Sequence, residues 1–215
     1  MKSSKPPRFL ITDDHQIVRN GLRQLLEDGY SGCECGEAVN GAQALEAVYR
    51  QEWDLVVLDL NMPGRCGIET LTEIKKIKPT LPVLVLSMYS ECEYALRAFK
   101  AGASGYIHKS AVTEELLDAV ARALAGGRHI TPSQAELLAA GLSRRGDAPP
   151  HESLSAREFE VMRLIALGLS VKEISARLSL SAKTVFTYRS RMLDKLSLDS
   201  DVEVARYAIK HNLVE

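Results

Sequence analysis

Long apolar runs are missing from this chain of 215 residues. The longest are strand-sized, and the opening Met1-Lys2-Ser3-Ser4-Lys5-Pro6-Pro7 holds no apolar block for export. A membrane span and a secreted protein are therefore disfavoured, and a cytoplasmic one is expected. Cysteine is scarce, and Cys33, Cys35, Cys66 and Cys92 lack the C-x-x-C spacing of a zinc site. Cys33-x-Cys35 reads instead as two small side chains sharing one face of a strand. Absent too is a Gly-x-Gly-x-x-Gly turn after the first strand, where Asp13-Asp14-His15 stands, so a dinucleotide fold is disfavoured. A strong overall charge is also lacking, since the net is −1. Its distribution is uneven: residues 1–142 carry 15 Lys+Arg against 18 Asp+Glu, whereas 143–215 carry 12 against 10. The basic excess gathers between Arg177 and Lys195, which points to a polyanion, most simply DNA.

What is present is a regular alternation. Candidate strands at 8–12, 34–39, 54–58, 82–87 and 104–108 are interleaved with amphipathic stretches near 15–28, 41–51, 67–77, 91–101 and 113–125. Five βα units of this size predict a doubly wound parallel sheet covered by helices on both faces. Thr131-Pro132-Ser133-Gln134 is a helix start, with threonine as N-cap, proline in the first position and glutamine three on. The helix is expected to run to about Gly141. Arg144-Arg145-Gly146-Asp147-Ala148-Pro149-Pro150-His151 then reads as a polar, breaker-rich linker. The expected division is 1–126, a first domain; 127–152, linker helix and flexible linker; and 153–215, a second domain.

The second domain announces itself by helix caps. Ser155-x-x-Glu158 and Ser170-x-x-Glu173 are capping boxes, each flanked by a pair placed for a hydrophobic staple, Leu154 with Phe159 and Leu169 with Ile174. Ser181-x-x-Thr184 and Ser200-x-x-Glu203 start a third and a fourth helix, and Gly168 stops the first. The second and third helices, near 171–178 and 182–195, are separated only by Ser179-Leu180-Ser181, which is helix-turn-helix spacing. Val185, Met192, Leu193 and Leu196 keep helical periodicity and are expected in the core. Lys183, Phe186, Thr187, Ser190 and Arg191 then fall outside.

Asp59 ends the apolar run Leu55-Val56-Val57-Leu58 and leads into Leu60-Asn61-Met62-Pro63-Gly64. A carboxylate where a buried strand runs out is costly unless its charge is used. Asp13 and Asp14 end an earlier strand, and in a parallel sheet the carboxyl ends share one edge. Three converging carboxylates suit a hard divalent cation, most simply Mg2+. Such a carboxylate can attack phosphorus when the cation neutralises the phosphoryl oxygens. Ser87 and Lys109, at the ends of the fourth and fifth strands, can supply a hydrogen bond and a positive charge. Each of these residues alone has a plain structural explanation; their joint occurrence on one edge does not.

Residues 8–125 resemble the receiver domain of a two-component response regulator, with the acidic pair, the acceptor in LVVLDLNMPG, the serine after strand four, an aromatic in strand five and the final lysine in order. Residues 153–212 resemble the helix-turn-helix domain of the NarL/FixJ (LuxR-type) class through LSAREFEVMRLIALGLSVKEISARLSLSAKTVFTYRSRMLDKL. The resemblance implies a flavodoxin-like (βα)5 receiver followed by four helices, and a transcriptional regulator rather than an enzyme. It implies that Asp59 accepts a phosphoryl group from a sensor histidine kinase, that Asp14, Asp59 and the Asn61 carbonyl ligate Mg2+ directly, and that Asp13 does so through water. Ser87 and Lys109 would hold phosphoryl oxygens, and Tyr106 would be a switch aromatic that moves inward. Lys172, Lys183, Thr184, Phe186, Thr187, Tyr188, Arg189, Ser190 and Arg191 would face double-stranded DNA, with Lys183, Arg189 and Arg191 on phosphates. Val202, Ala205 and Ile209 would pair two copies in a homodimer formed on phosphorylation.

Three departures qualify this. Met88 follows the switch serine where a small residue is common, and Tyr188 replaces a frequent histidine. Phe186 stands where a polar residue is usual, and either meets DNA or packs against the first domain. Two other readings compete: a receiver-like module controlled only by protein contacts, and an aspartyl-phosphate phosphotransferase. Asn61 counts against the second, because haloacid-dehalogenase chemistry wants an aspartate there as general acid. The intact set Asp13, Asp14, Asp59, Ser87 and Lys109 counts against the first.

Overall fold

The computed structural model describes residues 5–88, 91–143 and 149–214, with backbone only for 91–93 and 140–143. Arg144 and Arg145 lie outside the described residues. The chain divides into two compact units, Met1–Ala139 and Ala140–Glu215.

In the first unit, strands β1 (Arg8–Thr12), β2 (Glu34–Ala38), β3 (Leu55–Asp59), β4 (Val83–Ser87) and β5 (Gly105–His108) alternate with helices α1 (Gln16–Gly29), α2 (Gly41–Arg50), α3 (Gly67–Ile77), α4 (Glu91–Lys100) and α5 (Val112–Leu124). All strands pair in parallel, in the order β2-β1-β3-β4-β5. Every residue of β3 and β4 is buried, because both faces of these strands are covered by helices; the edge strand β2 is largely polar and half-exposed. On one face Phe9, Ile11, Val57, Leu84, Leu86 and Ile107 pack against Leu22 and Leu26 of α1 and Leu116, Ala119 and Val120 of α5. The chain order reverses between β1 and β3, so the loops after these two strands open a crevice at the carboxyl edge. Gly67 starts α3 against the backbone of Leu60, and a side chain there would collide with it. The loop after Asp59 is thereby pressed down onto the sheet.

Part of what reads as linker is bound into this unit. His129 donates its backbone N–H to Ser104 O at 2.8 Å and forms a parallel bridge with Gly105 at the outer edge of β5. The next helix, α6 (Pro132–Ser143), begins with the expected reciprocal cap between Thr131 and Gln134. Gln134 is fully buried and donates from Nε2 to the Tyr106 carbonyl at 2.9 Å, an attachment that the cap pattern alone does not disclose. Backbone polar groups at a sheet edge must be satisfied, and the returning chain satisfies them.

The second unit holds α7 (Ala156–Ala166), α8 (Val171–Leu178), α9 (Ala182–Leu196) and α10 (Asp201–Lys210). A 3-10 turn, Pro150–Ser153, precedes them, and its His151 is buried, with Nδ1 2.8 Å from the Tyr207 hydroxyl of α10. Residues 150–152 thus belong to this unit rather than to a free linker. Both capping boxes form, at Ser155 with Glu158 and at Ser170 with Glu173. Ser181 and Ser200 cap α9 and α10, but Glu203 reaches back to the N–H of Asp199 rather than of Ser200. Gly168 ends α7 with φ +83°. Ser179 and Ser197 end α8 and α9 in the same left-handed region, where glycine is usual. Phe159, Val161, Met162, Ile174, Val185, Met192, Val204 and Ala208 are fully buried and form the core. Leu193, expected there, is only half-buried, because α9 turns it towards the rim.

Among the described residues, no helix is long and apolar enough to cross a membrane.

Candidate functional site

At the carboxyl edge of the sheet the strand ends converge as the topology requires. Asp13, Asp59 and Ser87 are fully buried, and Asp14 is half-buried. Lys109 reaches over from the end of β5 and donates to Asp13 Oδ2 at 2.7 Å and to Asp59 Oδ2 at 2.8 Å. One ammonium therefore serves two carboxylates. Burial pushes the Asp59 carboxyl above its ordinary value; the Lys109 charge and hydrogen bond and the Asn61 N–H oppose this, while the Asp13 charge adds to it. Burial pulls Lys109 down, but Asp59 and Asp13 outweigh it and hold the ammonium firmly protonated.

Backbone donors fix the carboxylates. The Asn61 N–H binds Asp59 Oδ1 at 3.0 Å, and the His15 N–H binds Asp13 Oδ1 at 2.7 Å. Arg19 of α1, itself buried, donates to the Asp13 carbonyl at 2.9 Å and pairs with Glu37 Oε2 at 2.8 Å. Arg23 also pairs with Glu37 and, with Arg19, holds that carboxyl below its usual range. The loop carrying the acidic pair is thus tied to both α1 and β2. Arg19 was not among the residues singled out from the sequence, and only its place three to four residues into an amphipathic helix hinted at burial.

Asp13, Asp14 and His15 each bring one ligand atom within 4.8 Å of the others. His15 was not anticipated in this cluster; its imidazole is largely exposed and lies 2.9 Å from Asp14 Oδ1. Asp14 Oδ1 is buried and has no hydrogen-bond donor in proper geometry. With three carboxylates against one ammonium, the pocket is short of positive charge, and Asp14 Oδ1 is buried without a hydrogen bond; a hard divalent cation fits both deficits. Asp59 joins this group through Lys109 rather than through direct contact.

Ser87 Oγ lies 3.4 Å from Asn61 Oδ1. Tyr106, on β5, is fully buried. Met88 is 62% exposed and its carbonyl lies 3.2 Å from His108 Nε2.

In the second unit α8 and α9 form the helix-turn-helix. Val185, Met192 and Leu196 face the core, while Lys183, Phe186, Thr187, Ser190 and Arg191 are exposed on the opposite side, as the periodicity predicts. Lys172 on α8 is also exposed, and Thr184 and Tyr188 are half-buried. Arg189 differs from the other cations: its Nε is engaged by Asp201 Oδ1 at 2.8 Å, which ties α9 to the start of α10. On α10, Val204 and Ala208 fill the core, whereas Val202 and Ile209 are 63% and 62% exposed and Ala205 is half-buried. An apolar stripe at that spacing on a short helix is unpartnered within its own unit.

Comparison with known proteins assigns both halves. Residues 9–121 match the response regulator receiver domain, and residues 152–208 match the luxR family of bacterial regulatory proteins. The chain is 36% identical over 209 residues to the response regulator GacA of Pseudomonas aeruginosa, covering 97% of this chain and 98% of that one. It is 36% identical over 205 residues to the response regulator UvrY of Escherichia coli K12, covering 95% and 94%. Among solved structures, RcsB of Salmonella enterica serovar Typhimurium, bound to the promoter rprA with the phosphomimetic BeF3−, is 27% identical with a TM-score of 0.61, covering 94% of this chain and 98% of that one. A LuxR-family two-component response regulator from Aurantimonas is 35% identical with a TM-score of 0.59, covering 65% of this chain and all of that one.

Proposed function

The chain belongs to the DNA-binding response regulators of two-component systems, with a receiver domain joined to a LuxR-type helix-turn-helix domain, and from this premise we propose that Asp59 is its phospho-acceptor. The observation that carries the proposal is the single ammonium of Lys109 held between the buried carboxylates of Asp13 and Asp59. The donor is a phosphohistidine of a sensor histidine kinase. An Asp59 oxygen attacks phosphorus, the P–N bond breaks, and its electron pair returns to the imidazole as the acyl phosphate forms. Asp14, Asp59 and the Asn61 carbonyl would hold Mg2+, with Asp13 acting through water. When bound, Mg2+ neutralises the phosphoryl oxygens during transfer.

The protein groups then divide the incoming charge. Lys109 Nζ leaves a carboxylate for a phosphoryl oxygen, and the Ser87 hydroxyl donates to another. Drawing Ser87 inward favours the buried ring of Tyr106, so phosphorylation acts as a population shift towards one packing rather than as a new fold. Through pairing of Val202, Ala205 and Ile209 on α10, two copies form a homodimer on a two-fold operator in the cytoplasm. In each copy the α9 surface around Lys183, Phe186, Thr187, Ser190 and Arg191 enters the major groove, with Lys172, Thr184, Tyr188 and Arg189 at its margin.

The test is association and DNA selection with and without Mg2+ and beryllofluoride, in the parent and in Asp59→Ala. Dimer formation and binding are expected to rise in the parent alone. Equal binding by the parent in both conditions would remove Asp59 from control and leave a receiver-like module governed by protein contacts.

A further inference from the structure

Phe186 is the anomaly of the helix-turn-helix face. It is 55% exposed and sits in the second turn of α9, between exposed Lys183 and exposed Ser190 at helical neighbour positions. The other large apolar side chains exposed in this unit, among the described residues, have different settings. Leu167 closes α7, and Val202 and Ile209 make the stripe on α10. A phenyl ring more than half exposed among cations on the outer side of the second helix of such a motif is not placed there for the core of its own unit.

The chemistry of the ring narrows what it can meet. A phenyl group offers no hydrogen bond to a phosphate, to a purine N7 or to an exocyclic oxygen or amine. The apolar group that a base edge displays in the major groove is the thymine C5-methyl. The flanking residues suit the rest of the interface: Lys183 and Arg191 are exposed cations able to neutralise phosphates and set the register. Thr187 turns its hydroxyl back onto the Lys183 carbonyl at 3.0 Å, so it is withdrawn from polar readout. Resting on the DNA-binding reading above, we propose that Phe186 is a specificity residue that recognises the 5-methyl group of one thymine in each operator half-site.

The experiment uses the full chain activated with beryllofluoride and a duplex selected by the parent. Each thymine is replaced singly by deoxyuridine, which removes only the methyl group. One position per half-site is expected to lower parent affinity about fourfold, the burial value of a single carbon. At that position Phe186→Ala binds the thymine and deoxyuridine duplexes equally, and Phe186→Leu, which keeps apolar volume, retains a reduced response. If no deoxyuridine weakens the parent, or if Phe186→Ala responds to it as the parent does, the proposal is overturned while DNA binding stands. If Phe186→Ala instead gains affinity without beryllofluoride and keeps the parent's methyl response, the ring is a cover for another part of the chain and the proposal is overturned. A parent that selects no duplex overturns the DNA-binding reading itself, and this proposal with it.

Discussion

The two units place their working groups in opposite surroundings. In the receiver unit Asp13, Asp59 and Ser87 are fully buried at strand ends, and the two aspartates are locked by Lys109, Arg19 and backbone N–H groups. In the helical unit the side chains proposed to meet partners, Lys183, Phe186, Thr187, Ser190 and Arg191 on α9 and Val202 with Ile209 on α10, are left in solvent. The difference suits the tasks proposed above. Phosphoryl transfer needs charges held in a low-dielectric pocket before the substrate arrives, so the sheet edge fixes them. Reading a duplex or pairing with a second copy needs groups free to meet a surface, so the helical core does nothing but hold the helices at the right angle.

The sharpest way to break the comparison is to unfold one side of it. Phe159 is fully buried in a small core, and Phe159→Ala is expected to cost about 4 kcal/mol, most of the stability of a unit this size. The helical unit's share of the helix signal and DNA binding should be lost, while unfolding of the receiver, followed at Trp53, the chain's single tryptophan, stays at the parent midpoint. A shift of the Trp53 transition would mean that the two units are not energetically separate.

Lys109→Ala attacks the other side and comes next in size. It strands two buried carboxylates and should destabilise the receiver by about 3 kcal/mol at neutral pH in urea titrations. Adding Asp59→Asn should restore much of that loss, because it removes the crowding of charge; a double variant no better than the single one would reject the shared-ammonium account.

Capping effects are smaller. Ser170 Oγ accepts from the Glu173 N–H and donates to Glu173 Oε2 at 2.7 Å, so Ser170→Ala is expected to lower the thermal midpoint of the helical unit through a loss of about 1 kcal/mol. The smallest effect is a pH dependence. Burial pushes the Glu158 carboxyl up, but hydrogen bonds from Lys195 and Ser155 bring it below its ordinary value. A depressed acid stabilises the folded state above its unfolded pKa, and this contribution disappears as pH falls through the folded value. The stability gap between parent and Glu158→Gln should therefore be widest at neutral pH and close in strongly acidic buffer. A gap constant with pH would assign the effect to packing.

Much of this was legible in the chain itself. The apolar runs of β3 and β4 and the four serine caps of the helical unit are local signals, and each element formed within a residue or two of its expected bounds. The convergence of Asp13, Asp59, Ser87 and Lys109 on one edge could also be reasoned out, because a parallel sheet leaves no other place for its strand ends. Less legible was everything that depends on distant partners. Arg19 looks like one more helix charge until Glu37 and the Asp13 carbonyl surround it. Gln134 reads as a capping residue, yet it also bonds the carbonyl of Tyr106, and Arg189 reads as a free cation until Asp201 claims it.

Sequence alone thus determined the element order, the two-part organisation and the chemistry available at the sheet edge, since periodicity, caps and residue type act over a few residues. Tertiary structure alone decided that one ammonium is shared by two carboxylates, that the start of the linker is stitched to β5, and that Phe186 stands in solvent while Leu193 turns towards the rim. Those outcomes depend on which groups from remote parts of the chain meet, and on the burial and charge that the meeting imposes.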